Sequence, residues 1–222
     1  QFRLTCEGDG PHKGQVAPLR KVYQQYCQSP RKERRQHLEQ FAVITLSLKQ
    51  ELPEDFEDAR PRLRPSIWSR WMLEFQQLQA RIKGDKSENF LAFQPLGEHL
   101  CQCLAYDLPR ATRSIDPATL DEWQISFYEA MEAANQNLLE TTESFVGIEG
   151  HLYMSVTGDN YDSSRLLLLD QIRRFDVEGE YVAMLPNRNT LLITGSEDDI
   201  GLRIMLDLAE KAQGEPLPLS PL

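Results

Sequence analysis

The stretch "EYVAMLPNRNTLLITG", Glu180 to Gly195, decides the fold class. Two apolar runs flank "PNRN", Pro186 to Asn189, and Pro and Asn are residues that favour turns. This pattern predicts an antiparallel hairpin. A strand, "GHLYMSVTG" (Gly150–Gly158), and a helix, "YDSSRLLLLDQIRRF" (Tyr161–Phe175), precede it. "SEDDIGLRIMLDLAEKA" (Ser196–Ala212) follows as a closing helix, with Leu202, Met205, Leu206 and Ala209 on its inner face. The segment therefore reads β-α-β-β-α. A hairpin in place of regular crossover units indicates an α+β fold, with a mixed or antiparallel sheet and packed helices.

The same reading extends upstream. "HLCQCLAYDL" (His99–Leu108) is apolar enough for a buried strand. In "DPATLDEW", Asp116 is a helix cap and Pro117 the first helical residue. A helix then runs on through "SFYEAMEAANQNLLE", with Phe127, Ala130, Met131, Ala134 and Leu138 at helical spacing. "WSRWMLEFQQLQARI" (Trp68–Ile82) fits both a helix and a strand. Near the start, Phe2–Glu7 reads as a short strand and Gly8–Gly14 as a turn. A helix is expected from Gln15, carrying Leu19, Val22, Tyr23 and Tyr26. Past Pro30 a second helix covers 31–52, and its basic start, Arg31 to Arg35, reads as a solvated face, with a small anionic docking patch as the alternative. Gly84–Asn89 is a loop, and the Pro-rich tail from Gln213 is extended.

The chain has 222 residues, 41% hydrophobic and 26% charged, which suits a soluble globular protein with a sizeable core. It forms one α+β domain over 1–222, or two subdomains joined near 53–66, where "PEDFEDARPRLRPS" carries three prolines. The formal net charge of -10, from 34 acidic and 24 basic residues, argues against a general nucleic-acid binder. Apolar runs as short as Leu166–Leu169 do not span a membrane. Cys6, Cys27, Cys101 and Cys103 do not make a dense disulfide framework, so they are expected to be reduced thiols in a cytoplasmic protein. No signal peptide is visible, but the sequence opens at Gln1 without a Met, so a targeting segment upstream is compatible with it.

"TGDNYDSSRLLLLD" (Thr157–Asp170) most resembles a site. Counted from Asp159 as a calcium loop, the sixth residue is Ser164 and the twelfth Asp170, where Gly and Glu are required. One Gly beside several acids does not suit a phosphate loop either. The structural reading is a turn at Gly158 and a helix capped by Asp162 or Ser163. The binding candidates are Asp107, Asp159, Asp162, Ser163 and Arg188; the last is expected at the hairpin tip, exposed or presented to an anionic partner. His99, Cys101 and Cys103 alternate and would share a strand face, which makes them weak metal candidates. A complete ligand set would need Cys6, Cys27, His12 or His37 from the N-terminal half, and buried thiols are the commoner outcome. No nucleophile elbow, zinc-protease motif or Gly-rich nucleotide fingerprint occurs. No cofactor is expected.

"AANQNL", "GDNYDSSRLLL" and "VAMLPNRNTLLITGSEDDIGLRIM" together resemble the YtpQ-like bacterial family. Its Ala-x-x-Asn-Leu segment corresponds to Ala134 through Leu138. Its Tyr-Asp-Ala-Ser-like helix start corresponds to Tyr161 through Ser164, and its Pro-x-Arg-Asp-like turn to Pro186 through Asn189. Ser163 stands where Ala is usual, and Asn189 where Asp is usual. "PLGEHLCQCLAYDLP" and "LRKVYQQY" are compatible, which extends the resemblance over most of the chain. The family has no assigned activity or cofactor, so the resemblance implies none. The leading expectation is a non-catalytic binding or protein-interaction module with an unidentified protein or small-molecule partner. The rivals are a metal-assisted hydrolase using Asp107, Asp159 and Asp162, and an acidic immunity or inhibitor-type protein.

Overall fold

A computed structural model describes residues 3–5, 16–18, several positions between 26 and 38, and then 50–82, 91–109, 111–143, 145–213 and 219. Contacts divide the chain into two units, 1–51 with 108–111, and 52–107 with 112–222. In the first unit, β1 (Arg3–Thr5) pairs antiparallel with β2 (Val16–Pro18). Val16–Pro18 is thus a strand where a helix was expected. Its β-branched Val and its pairing with β1 override the helical spacing that begins there. Tyr26–Cys27, Arg34–Arg35 and Leu38 are helical. The rest of the two N-terminal helices, the turn at Gly8–Gly14, the loop at Gly84–Asn89 and the tail apart from Gln213 and Leu219 lie outside the described residues. So do Cys6, His12 and His37.

The chain continues through α1 (Phe56–Ala59), a tight turn over Arg60–Arg62, β3 (Leu63–Ser69), α2 (Arg70–Ile82), β4 (Phe93–Leu96) and β5 (Leu100–Leu108). Next come β6 (Ala111–Ser114), α3 (Pro117–Glu122), α4 (Phe127–Thr141), β7 (Phe145–Ile148) and β8 (Leu152–Ser155). A 3-10 turn over Ser163–Leu167 leads to α5 (Leu169–Ile172), β9 (Tyr181–Met184), β10 (Leu192–Gly195) and α6 (Asp199–Gln213). One four-stranded sheet runs β3-β5-β4 with β6 also on β5; the other runs β7-β8-β10-β9. Five pairings, β3–β5, β4–β5, β7–β8, β8–β10 and β9–β10, are antiparallel. The fold is α+β. Both outer partners of β5 carry a proline in the ladder, Pro65 opposite Leu104 and Pro95 opposite Cys101.

The predicted hairpin is β9–β10, with Leu192 opposite Met184. Asp116 caps α3 as expected, its Oδ1 accepting from Thr119 N at 2.8 Å. Three expectations change. The helix after Asp116 breaks at Gln124, whose φ of 54° is left-handed, and restarts as α4 behind a Ser126–Glu129 capping box. A further strand, β7, precedes β8. Their turn has left-handed Glu149 and Gly150, φ 52° and 81°, the twist a tight hairpin needs. The single helix expected over Tyr161–Phe175 is a 3-10 turn and a short helix broken at Leu168 (φ -85°, ψ 60°). Four consecutive leucines give a regular helix no single apolar face, whereas the break lets Leu168 join a core cluster with Ala105, Leu138 and Tyr161.

Helix α6 packs on the second sheet through Met205 and Ala209 against Leu152 and Leu192. Leu206, expected on that inner face, is exposed. The approach is close at Gly201, where a Cβ would stand 2.1 Å from Thr194 Oγ1 and 2.5 Å from the His151 carbonyl. The preceding loop is equally close at Gly195, where a Cβ would stand 2.0 Å from the Glu178 carbonyl oxygen.

Candidate functional site

Asp162 does not cap a helix. Its backbone is already helical, and its buried carboxylate folds back onto the preceding loop. Oδ1 accepts from Ser155 Oγ at 2.5 Å and from Thr157 N at 3.1 Å; Oδ2 accepts from Gly158 N at 3.0 Å. Three donors from the strand end and turn outcompete the helix's own N–H groups. Ser163 is buried and caps nothing by its side chain; its N–H donates to the Arg188 carbonyl at 3.1 Å.

The loop closes around a residue the sequence reading did not single out. Arg165 is wholly buried. Its Nη1 and Nη2 donate to the two oxygens of Asp159 at 2.9 and 2.8 Å, and its Nε donates to Thr142 Oγ1 at 3.0 Å. Asp162 Oδ1 lies 3.6 Å from Nη1. Burial by itself would raise the Asp159 carboxyl, but the Arg165 guanidinium and the Tyr161 N–H outweigh it and hold that carboxyl below its ordinary value. The signal that could have found Arg165 is its place directly before the run Leu166–Leu169, where a cation drawn into the core must be paired.

Asp107, on β5, accepts a hydrogen bond from the Tyr161 hydroxyl and lies 3.7 Å from Arg64 Nε. Burial raises its pKa; the Tyr161 hydrogen bond and Arg64 offset this only in part, and Asp159 adds repulsion. Burial, then the hydrogen bond to Asp107, pushes the Tyr161 phenol well above its usual range. Thus Asp107, Asp159 and Asp162 do gather around Tyr161 and Arg165, each with its acceptor oxygens already engaged.

Arg188 is not an exposed hairpin tip. Its loop is pinned by Asn187, which donates to the Ala212 carbonyl at 3.0 Å and accepts from Asn189 N at 2.8 Å. The half-buried guanidinium hydrogen-bonds Ser66 Oγ and lies over the Trp68 ring, 4.4 Å from its centroid. Burial draws its pKa down.

The three metal candidates separate. His99 sits in the turn before β5 with an exposed side chain, 3.9 Å from Glu98. Cys101 and Cys103 are buried against Leu73. Among the described residues, no group of three His, Cys, Asp or Glu side chains is placed to hold a metal ion. Burial pushes the Cys103 thiol up to about 12, so it stays protonated at neutral pH. At the start of α6, Asp198 accepts from Gly201 N at 2.8 Å and pairs with His151 Nδ1 at 2.9 Å.

A cleft of ≈ 550 Å³ opens beside α4. Five carboxamide side chains line it: Gln94, Gln102, Asn135, Gln136 and Gln171. Met131, Leu139 and Leu168 supply apolar wall, and Glu132 and Asp170 bring two negative charges against the one positive charge of Arg173. Asn135 Oδ1 is shielded from solvent and accepts no hydrogen bond. Asn135 and Gln136 fall within "AANQNL", whose Asn137 has a structural role instead, donating to the Arg60 and Leu63 carbonyls at 2.6 and 3.0 Å.

Among the described residues, no helix is long and apolar enough to cross a membrane. No family model matches the chain, and no solved structure does. Curated bacterial proteins do match. A UPF0354 protein of Listeria monocytogenes serotype 4a is 31% identical over 106 residues, 46% of this chain and 40% of its own length. UPF0354 protein SSP1020 of Staphylococcus saprophyticus is 30% identical over 110 residues, 47% of this chain and 38% of its own length. The matched segment thus spans well under half of these relatives. Over that segment the chain is similar to UPF0354 proteins of Listeria and Staphylococcus.

Proposed function

We propose that this protein is a non-catalytic interaction module of the bacterial cytoplasm, whose cleft beside α4 takes an uncharged, extended peptide segment of a partner protein. The observation that carries the reading is the group of five carboxamides set among Leu and Met side chains; Gln102 donates to Gln94 at 3.3 Å and Gln136 to Glu140 at 3.2 Å, exposed bonds that a peptide group can exchange. A carboxamide offers both a donor and an acceptor, the combination a peptide group needs. Leu139, Leu168 and Met131 suit apolar side chains of the same segment. The unpartnered Asn135 Oδ1 leaves one acceptor to satisfy. The buried free thiols Cys101 and Cys103 accord with a reducing compartment. The YtpQ-like resemblance belongs to this reading and adds no activity to it.

A metal-assisted hydrolase built on Asp107, Asp159 and Asp162 is the weaker reading. Those carboxylates would first have to release Tyr161, Arg165 and Ser155. The immunity or inhibitor reading shares the interaction class but rests on net charge alone.

The test is an NMR titration of the ¹⁵N-labelled full chain with an acetylated, amidated Leu-Asn-Leu-Ser peptide. Shifts are expected at the side-chain amides of Gln94, Gln102, Asn135 and Gln136, and Asn135→Ala should weaken them. Absent shifts, or shifts away from the cleft, overturn the peptide site. Cleavage of the peptide overturns the non-catalytic reading.

A further inference from the structure

Helix α2 carries a second surface, independent of the cleft. Trp71, Phe75, Leu78 and Ile82 are 61%, 44%, 54% and 76% exposed. Their spacing is four, three and four residues, the d-a-d-a rhythm of a two-helix seam. Trp71 and Phe75 already stack, with centroids 5.4 Å apart and planes 9° apart. Leu73, on the opposite side of the helix, packs against Cys101 and Cys103. The helix is thus fixed by the fold, and association does not have to nucleate it.

We infer that α2 pairs antiparallel with α2 of a second copy of this chain. The flanking charges choose this occupant. Within α2, Glu74 and Arg81 are the charged residues that flank the seam, both on its g side. In an antiparallel pair the g positions of the two helices face each other, and Cβ atoms tilt toward each helix N-terminus. Glu74 of one copy then meets Arg81 of the other, twice, by symmetry. The apolar layers match by size: Trp71 opposite Ile82, and Phe75 opposite Leu78. A parallel pair would instead stack Trp71 on itself and set Glu74 near Gln79, without charge complement. In the single chain Glu74 is held by Arg70 at 2.8 Å, an exposed pair easily exchanged.

Light scattering of the full chain over a concentration series tests the inference. The expected mass is twice the 25.6 kDa of one chain. Glu74→Arg should raise the dissociation constant about tenfold by placing like charges at both contacts. Adding Arg81→Glu to that variant should restore the dimer, which a merely sticky surface would not do. Phe75→Glu should be monomeric with an unchanged circular dichroism spectrum. A wild-type monomer, a dimer that survives Phe75→Glu, or a double reversal that fails to restore pairing overturns the inference. So does a monomer whose Trp71 is shielded from iodide quenching, read against Trp71→Phe; that result assigns the stripe to the chain itself.

Discussion

Arg165 and Asp159 meet fork to fork, at 2.9 and 2.8 Å, with the guanidinium wholly removed from solvent. The pair fixes the loop between β8 and the 3-10 turn, and with it the Tyr161 hydroxyl on Asp107. The loop Thr157–Ser164, with its acidic and hydroxyl groups, is therefore built around one cation.

Arg165→Ala leaves two carboxylates, Asp159 and Asp162, beside an empty buried space. Breaking a buried pair in this way costs about 3–5 kcal/mol. Arg165→Lys should recover only part of it, because an ammonium cannot serve both Asp159 oxygens and Thr142. Urea unfolding measures both; a loss below about 1 kcal/mol for Arg165→Ala, the range of an exposed pair, would contradict the buried network.

Asp159 also sets an acid dependence. Its folded pKa lies below the ordinary 3.8. The folded state therefore binds this proton less readily than the unfolded chain, and the resulting stability is present above the unfolded value. It is lost as pH falls through the folded value. Asp107 works the other way: its raised folded pKa makes protonation on acidification relieve, not add to, its burial penalty. Melting temperatures between pH 5 and pH 2 should fall less steeply for Asp159→Asn than for the wild type. Equal slopes would remove Asp159 from the account.

Arg188→Ala should destabilise by about 2 kcal/mol, from the lost hydrogen bond to Ser66 and the lost stacking on Trp68. Trp68 fluorescence, compared with that of the wild type, should change with it. An unaltered melt and spectrum would mean that Arg188 does not rest on the ring.

Gly195→Ala should destabilise by about 1–3 kcal/mol. Its new methyl would stand 2.0 Å from the Glu178 carbonyl, a backbone atom that cannot rotate away. A thermal melt suffices; an unchanged midpoint would refute the close approach.

Cysteine reactivity separates exposed from buried thiols. Iodoacetamide on the native protein should label exposed Cys27 and spare Cys101 and Cys103, which are buried with raised pKa values. Peptide mass mapping reads the result. Equal labelling before and after unfolding would show that β5 is not covered as described.

Local chemistry was legible in the sequence wherever neighbours in sequence are neighbours in space. Pro and Asn at 186–189 marked the hairpin, and Asp116–Pro117 marked a helix start. Long-range competition was not legible. Asp162 had the look of a cap, but Ser155, Thr157 and Gly158 take its oxygens. Arg188 had the look of a solvated turn residue, but Asn187 draws the loop down until the guanidinium reaches Trp68. That Asp107 joins Asp159 and Asp162 does not follow from spacing, since it stands more than fifty residues before them, and the cation beside them opens a leucine run, where a polarity scan passes over it. The cleft went unread because its five carboxamides come from four elements, β4, β5, α4 and α5.

Pro65 and Pro95 carry a consequence for how copies of this chain meet at high concentration. Each removes a backbone donor from a strand flanking β5. A foreign strand laid along β3 or β4 finds a gap in the ladder, so growth of this sheet along those two strands is disfavoured. Along β3 and β4, contact between copies is thereby left to side chains, whose encounters can be reversed by salt or by a single changed charge.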